Sequence, residues 1–124
     1  MKITLAFALL CLTVKLTRAQ ENLTRDSLYV VTFTTGAAWD VAKAPQEQNY
    51  FKEHSANLSK LRKEGLIKLG ARYADKGIIV VAASSILEAR KLINSDPAVI
   101  NKLFDADIQK LLVFYDGCMG IPKW

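Results

Sequence analysis

The order of elements along the chain predicts an α+β fold with one antiparallel sheet. Three observations carry it. Residues 28–34, Leu-Tyr-Val-Val-Thr-Phe-Thr, are β-branched and aromatic, as a strand requires. Tyr50, Phe51, His54, Leu58 and Leu61 recur at spacings of three and four, the mark of a helix with one apolar stripe. Two apolar runs, 66–73 and 78–83, flank Asp75-Lys76-Gly77, which reads as a hairpin turn.

The remaining elements follow in order. Residues 35–45 hold Gly36, Trp39 and Pro45 and read as a loop. The helix runs from about Pro45 or Gln46 to Glu64: proline suits a first helical turn, and Gly65 suits the stop. Its outer face carries Lys52, Glu53, Lys60, Lys63 and Glu64. The strand Ile78 to Ala83 is apolar throughout, which predicts a central position covered on both faces. Ser84-Ser85 offers an N-cap for a second helix, Ile86 to Asn94, with Leu87, Ala89, Leu92 and Ile93 on its apolar side. Asp96-Pro97 ends or kinks that helix, and residues 98–104 read as a short helical continuation. Residues 107–115, Asp-Ile-Gln-Lys-Leu-Leu-Val-Phe-Tyr, read as the last strand. The order β-α-β-β-α-β is the ferredoxin-like, split βαβ arrangement. Both helices then lie on one face of four strands. Tyr29, Val31 and Phe33 alternate with the apolar Val30, so the second face needs a cover as well. A second copy of the sheet is the simplest one, and a homodimer is expected.

The first 19 residues have the layout of a secretory signal peptide: Met1-Lys2 is basic, Ile3 to Val14 is apolar, and Thr17-Arg18-Ala19 permits cleavage before Gln20. The apolar run is shorter than the roughly 20 residues of a membrane-spanning helix. An uncleaved anchor is the competing reading. A lipoprotein signal is disfavoured because Leu10 precedes Cys11. The expected organisation is a signal at 1–19, a flexible lead at 20–27 and one domain at 28–124, secreted or periplasmic and without stable membrane insertion after cleavage. The signal takes three of the 17 basic residues and none of the 12 acidic ones, which leaves a net charge of +2. That balance gives no case for nucleic acid as a partner.

The same segment removes Cys11 and leaves Cys118 alone, so no internal disulfide is expected. Cys118 is either a stray thiol or a link between subunits. Two N-x-S/T sequons occur, at Asn22 and Asn57, the second inside the expected helix.

His54 is the only histidine of the chain and sits on the inward face of its helix. An imidazole can move a proton either way near neutral pH. The competing reading is a core histidine bonded to backbone. One histidine and one remaining cysteine do not assemble a zinc site of the usual type. Residues 34–38 lack phosphate-loop spacing, and no G-x-S-x-G elbow occurs. No cofactor is expected; haem ligation by His54 is a remote alternative.

The chain resembles the YCII-related (YciI-like) family. The residues that carry the resemblance are the strand Tyr29 to Phe33, the helix with His54 followed by Leu58, Leu61, Glu64, Gly65 and Leu66, then Gly70, the strand 78–83 and Ser95-Asp96-Pro97. The likeness covers residues 28–116. The resemblance implies a dimeric α+β barrel and a cleft faced by the helix-borne histidine and the aspartate of the Asp-Pro step, here His54 and Asp96. It also implies acid–base work on a small organic acid or lactone, by isomerisation or elimination of HX, for the few members with an assigned activity. A carboxylate beside an imidazole fixes its tautomer and favours its charged form. The chain differs from the family in its export signal and in Ala71-Arg72-Tyr73, which stands where a proline-bearing segment often follows the glycine. For Asp96 the plain alternative is a turn-forming Asp-Pro step. Ser55, Arg72 and Tyr115 are further candidates for the cleft, against surface or packing roles. For the whole chain, the alternatives are a non-catalytic dimeric module that binds a small ligand and a purely structural dimer.

Overall fold

The computed structural model describes residues 26–117. The expected signal segment and its cleavage site before Gln20, the Asn22 sequon and Cys118 lie outside the described residues. The elements are β1 (Ser27–Thr35), a 3-10 turn (Pro45–Glu47), α1 (Phe51–Lys63), β2 (Ile67–Tyr73), β3 (Lys76–Ala83), α2 (Ile86–Asn94), α3 (Pro97–Ile100) and β4 (Phe104–Leu111). The strands form one antiparallel sheet in the order β2-β3-β1-β4, so the fold is α+β and ferredoxin-like.

Alternation sets the core. Tyr29, Val31 and Phe33 of β1 pair with Val81, Ile79 and Gly77 of β3 and point to the helical side. There they pack with Ala89 and Ile93 of α2 and with Leu58 of α1. On the opposite side, Leu28 and Val30 face the same way as Ala82, Val80 and Leu69. β3 is therefore apolar on both sides because it is an inner strand whose two faces are both partly covered. Ser85 caps α2, its hydroxyl accepting from the Glu88 N–H at 3.1 Å.

Several boundaries differ from the sequence reading. The helix does not start at Pro45. Pro45–Glu47 is a separate turn, and Tyr50 adopts φ 68°, a left-handed conformation no helix interior accepts. Tyr50 therefore caps α1 and is exposed instead of joining the buried stripe. The hairpin turn sits one residue earlier than expected, with Ala74 at φ 49° and β3 already paired at Lys76. Leu87 projects into solvent while Ala89 and Ile93 carry the contacts of α2. The helical continuation ends at Ile100, since Lys102 takes φ 60°. The largest displacement is in β4, expected at 107–115 and found at 104–111. Its register explains this: Phe104 pairs with Thr35 and Leu111 with Leu28, so only Ser27 of β1 is left opposite Leu112 and none of β1 lies opposite residues 113–115. Leu112 to Tyr115 have strong strand propensity, but Val113 to Tyr115 have no strand beside them within the described residues, and all four are exposed.

Candidate functional site

His54 and Asp96 meet. Helix α1 lies over the sheet with its inward stripe toward β1 and β4, which puts the His54 ring edge-on to Phe33 at 5.1 Å between centroids and against Phe104 at 4.9 Å. Asp96 arrives from the link between α2 and α3. The Asp-Pro step forbids a continuous helix, so Asp96 takes an extended backbone and becomes the N-cap of α3. Its Oδ1 accepts the Ala98 N–H at 2.9 Å. The same oxygen lies 3.0 Å from His54 Nδ1, and Oδ2 accepts from Asn57 Nδ2 at 2.7 Å. Both readings of Asp96 hold at once: it makes the turn and it touches the histidine.

The carboxylate is buried, at 1% exposure, and His54 is nearly so at 7%. Burial is the strongest single influence on Asp96 and pushes its pKa up. The hydrogen bonds from His54 and Asn57, the attraction to the His54 ring and the Ala98 N–H together outweigh it. Asp96 is held below the usual carboxylate range and is ionised at neutral pH. An ionised carboxylate only accepts, so His54 Nδ1 must carry a hydrogen and donate it. In the neutral ring the lone pair then sits on Nε2. Among the described residues Nε2 has no hydrogen-bond partner, and none of their fully buried side-chain nitrogens or oxygens lacks one. Nε2 is therefore not fully buried, and His54 borders a cavity of about 560 Å³.

That cavity lies between α1, the β2–β3 hairpin and the loop after β1. Aromatic rings from four segments form one wall: Phe33, Trp39, Phe51 and Phe104, with Phe104 at the centre of the group. Ser55 and Arg72 line it, as the sequence reading allowed. Tyr115 does not; it is 94% exposed beyond the end of β4. Among the described residues no three of His, Cys, Asp and Glu come together as metal ligands would, and no helix is long and apolar enough to cross a membrane.

Two contributors were missed in the sequence. Asn57, visible there only as part of a sequon, stands one helical turn after His54 and holds the second Asp96 oxygen. Its side-chain nitrogen, the atom a glycan would take, is already engaged. Gln48 is buried and ties the loop together: its Oε1 accepts from Asp40 N at 3.0 Å, and its Nε2 donates to Asp40 O at 2.6 Å and Lys43 O at 3.1 Å. That loop carries Trp39 and Pro45 to the cavity wall. The spacing from His54 to Asn57 hinted at a shared helix face; nothing local marked Gln48.

No protein-family model and no curated protein matches the chain.

Proposed function

We propose that the chain is an exported, YciI-like enzyme that performs acid–base chemistry on a small organic acid or lactone, with His54 as the proton carrier and Asp96 as its orienting carboxylate. One observation supports this above the others: Asp96 holds Nδ1, which leaves Nε2 as the basic nitrogen of a ring that borders a cavity large enough for a small molecule. A core histidine needs no such cavity.

The chemistry follows from that orientation. Nε2 takes the proton from a carbon next to a carbonyl, and the electron pair passes to the carbonyl oxygen as an enolate. The imidazolium that forms stays 3.0 Å from the Asp96 carboxylate, which offsets its charge. Return of the proton to a different carbon isomerises the substrate. Departure of a halide from the neighbouring carbon completes an elimination instead, with the proton retained on His54 until solvent removes it.

The test is solvent exchange. Small cyclic acids and lactones incubated in deuterated buffer should gain deuterium next to the carbonyl. His54→Ala should slow that gain by roughly 100- to 10,000-fold. A folded His54→Ala protein that exchanges at the original rate would sink the reading.

The proposal includes a homodimer in which the sheet face bearing Leu28, Val30, Leu69 and Val80 meets its counterpart on a second copy. These residues form an apolar strip across three strands, β2, β3 and β1, and among the described residues no helix lies over it. Sedimentation should give twice the chain mass; a stable monomer at micromolar concentration would refute it.

A further inference from the structure

Two positions on the floor of the cavity carry no side chain. On the helix-facing side of the β2–β3 hairpin, Gly70 pairs with Ile79, and Gly77 pairs with Arg72. All four line the cavity beside His54. Side chains at the two glycine positions would point to the same side as Phe33, into the space under α1. Neither glycine is there to relieve strain. Neither takes the left-handed conformation, and a Cβ at Gly70 would meet only the Ile79 side chain at 3.9 Å, an ordinary contact. A glycine inside a strand weakens it and gives it nothing to pack. What these two provide is room and close approach to backbone.

The rest of the lining says what the room suits. One wall is aromatic. Among the described residues the only anion in the lining is Asp75, which is 3.3 Å from Lys76 and is held below the usual carboxylate range by that pair. Arg72, on the same face as Gly70, forms no ion pair among the described residues. We infer that Gly70 and Gly77 are specificity-determining residues that open the cavity for a flat, conjugated anion, bound with its plane over the two glycines and its charge at Arg72. This deepens the proposed function and rests on the same cavity serving as the site.

Sodium cinnamate is a suitable probe, with cinnamyl alcohol as its neutral counterpart. The single histidine gives unambiguous imidazole ring-proton signals by NMR. In the full chain, cinnamate should shift the His54 signals to saturation. Gly70→Val should keep the fold, since a β-branched residue suits a strand, with an unfolding temperature equal to or above that of the parent. It should weaken cinnamate binding by roughly tenfold or more. Gly70→Ala, which adds only the tolerated Cβ, should fall between them and serves as the readout if the valine variant fails to fold. Arg72→Leu should weaken cinnamate by about tenfold while leaving cinnamyl alcohol unchanged. Unmoved His54 signals at the solubility limit of cinnamate would overturn the inference, as would a folded Gly70→Val protein of undiminished affinity, or, where that variant does not fold, a Gly70→Ala protein of undiminished affinity. The acid–base reading is judged separately by deuterium gain: saturable cinnamate binding without exchange in any acid or lactone would sink that reading and leave the cavity assignment standing.

Discussion

Asp96→Ala should be the most damaging single substitution in the described domain, lowering stability by about 3–5 kcal/mol at pH 7. The change orphans three donors at once, on His54, Asn57 and the Ala98 backbone. The site is 1% exposed, so water cannot replace the carboxylate without opening the structure. Part of the loss is the N-cap of α3, worth about 1 kcal/mol in typical helices. Urea unfolding at pH 7 measures the total. The pH dependence identifies the source. The folded-state pKa of Asp96 lies below its ordinary value of 3.8. Its contribution is therefore fully present above that value and is lost as pH falls through the depressed folded-state value. The gap between parent and Asp96→Ala should narrow on the acid side of pH 3.8. A gap that is constant from neutral to acid pH would mean that the ionised carboxylate is not what stabilises the site. Asp96→Asn separates charge from shape. Its amide oxygen can still accept from Ala98 and His54, provided the Asn57 amide turns over to meet the new donor. It should unfold at a milder cost than the alanine variant, yet lose deuterium exchange, because the imidazolium then has no carboxylate beside it.

Gly36→Ala ranks second. Gly36 leaves the end of β1 and lies against the backbone before β4: its N–H donates to Leu103 O at 2.8 Å, and Ala38 N donates to Lys102 O at 3.0 Å. An added Cβ would run into the Lys102 carbonyl itself. A flexible side chain could turn aside, but this obstacle is backbone and is already hydrogen bonded to Ala38. The loop must lift away, breaking both bonds. A cost near the upper end of the about 1–3 kcal/mol typical of overpacking is expected. The same lift carries Trp39 off Phe104, 5.8 Å away between centroids. Thermal unfolding should fall, and cinnamate should bind more weakly even where the protein is folded. An alanine variant with unchanged stability and unchanged affinity would show that this loop is not held where the cavity needs it.

Local pattern was enough for the elements that pack along one regular face. β1, β3 and α2 were legible because alternation, a continuous apolar run and a serine cap each act within a few residues. His54 was legible as an inward-facing side chain for the same reason: its helix stripe fixes which way it points. The start of α1 and the place of β4 were not. Tyr50 stops the helix with a left-handed backbone that its residue type does not announce. Residues 112–115 are better strand formers than 104–107, and what leaves 113–115 without a partner among the described residues is the start of β1 at Ser27, an element some eighty residues earlier in the chain.

By itself, then, the sequence determined the α+β order, the buried faces and the presence of one inward histidine, all properties of local periodicity. Only the tertiary structure decided that His54 meets Asp96, 42 residues away, and that Asn57 holds the second carboxylate oxygen. It also decided that two glycines and a stapled loop leave space beside them. Those facts depend on where separate elements land after folding. The apolar and polar periods that form each element carry no record of the distance between them.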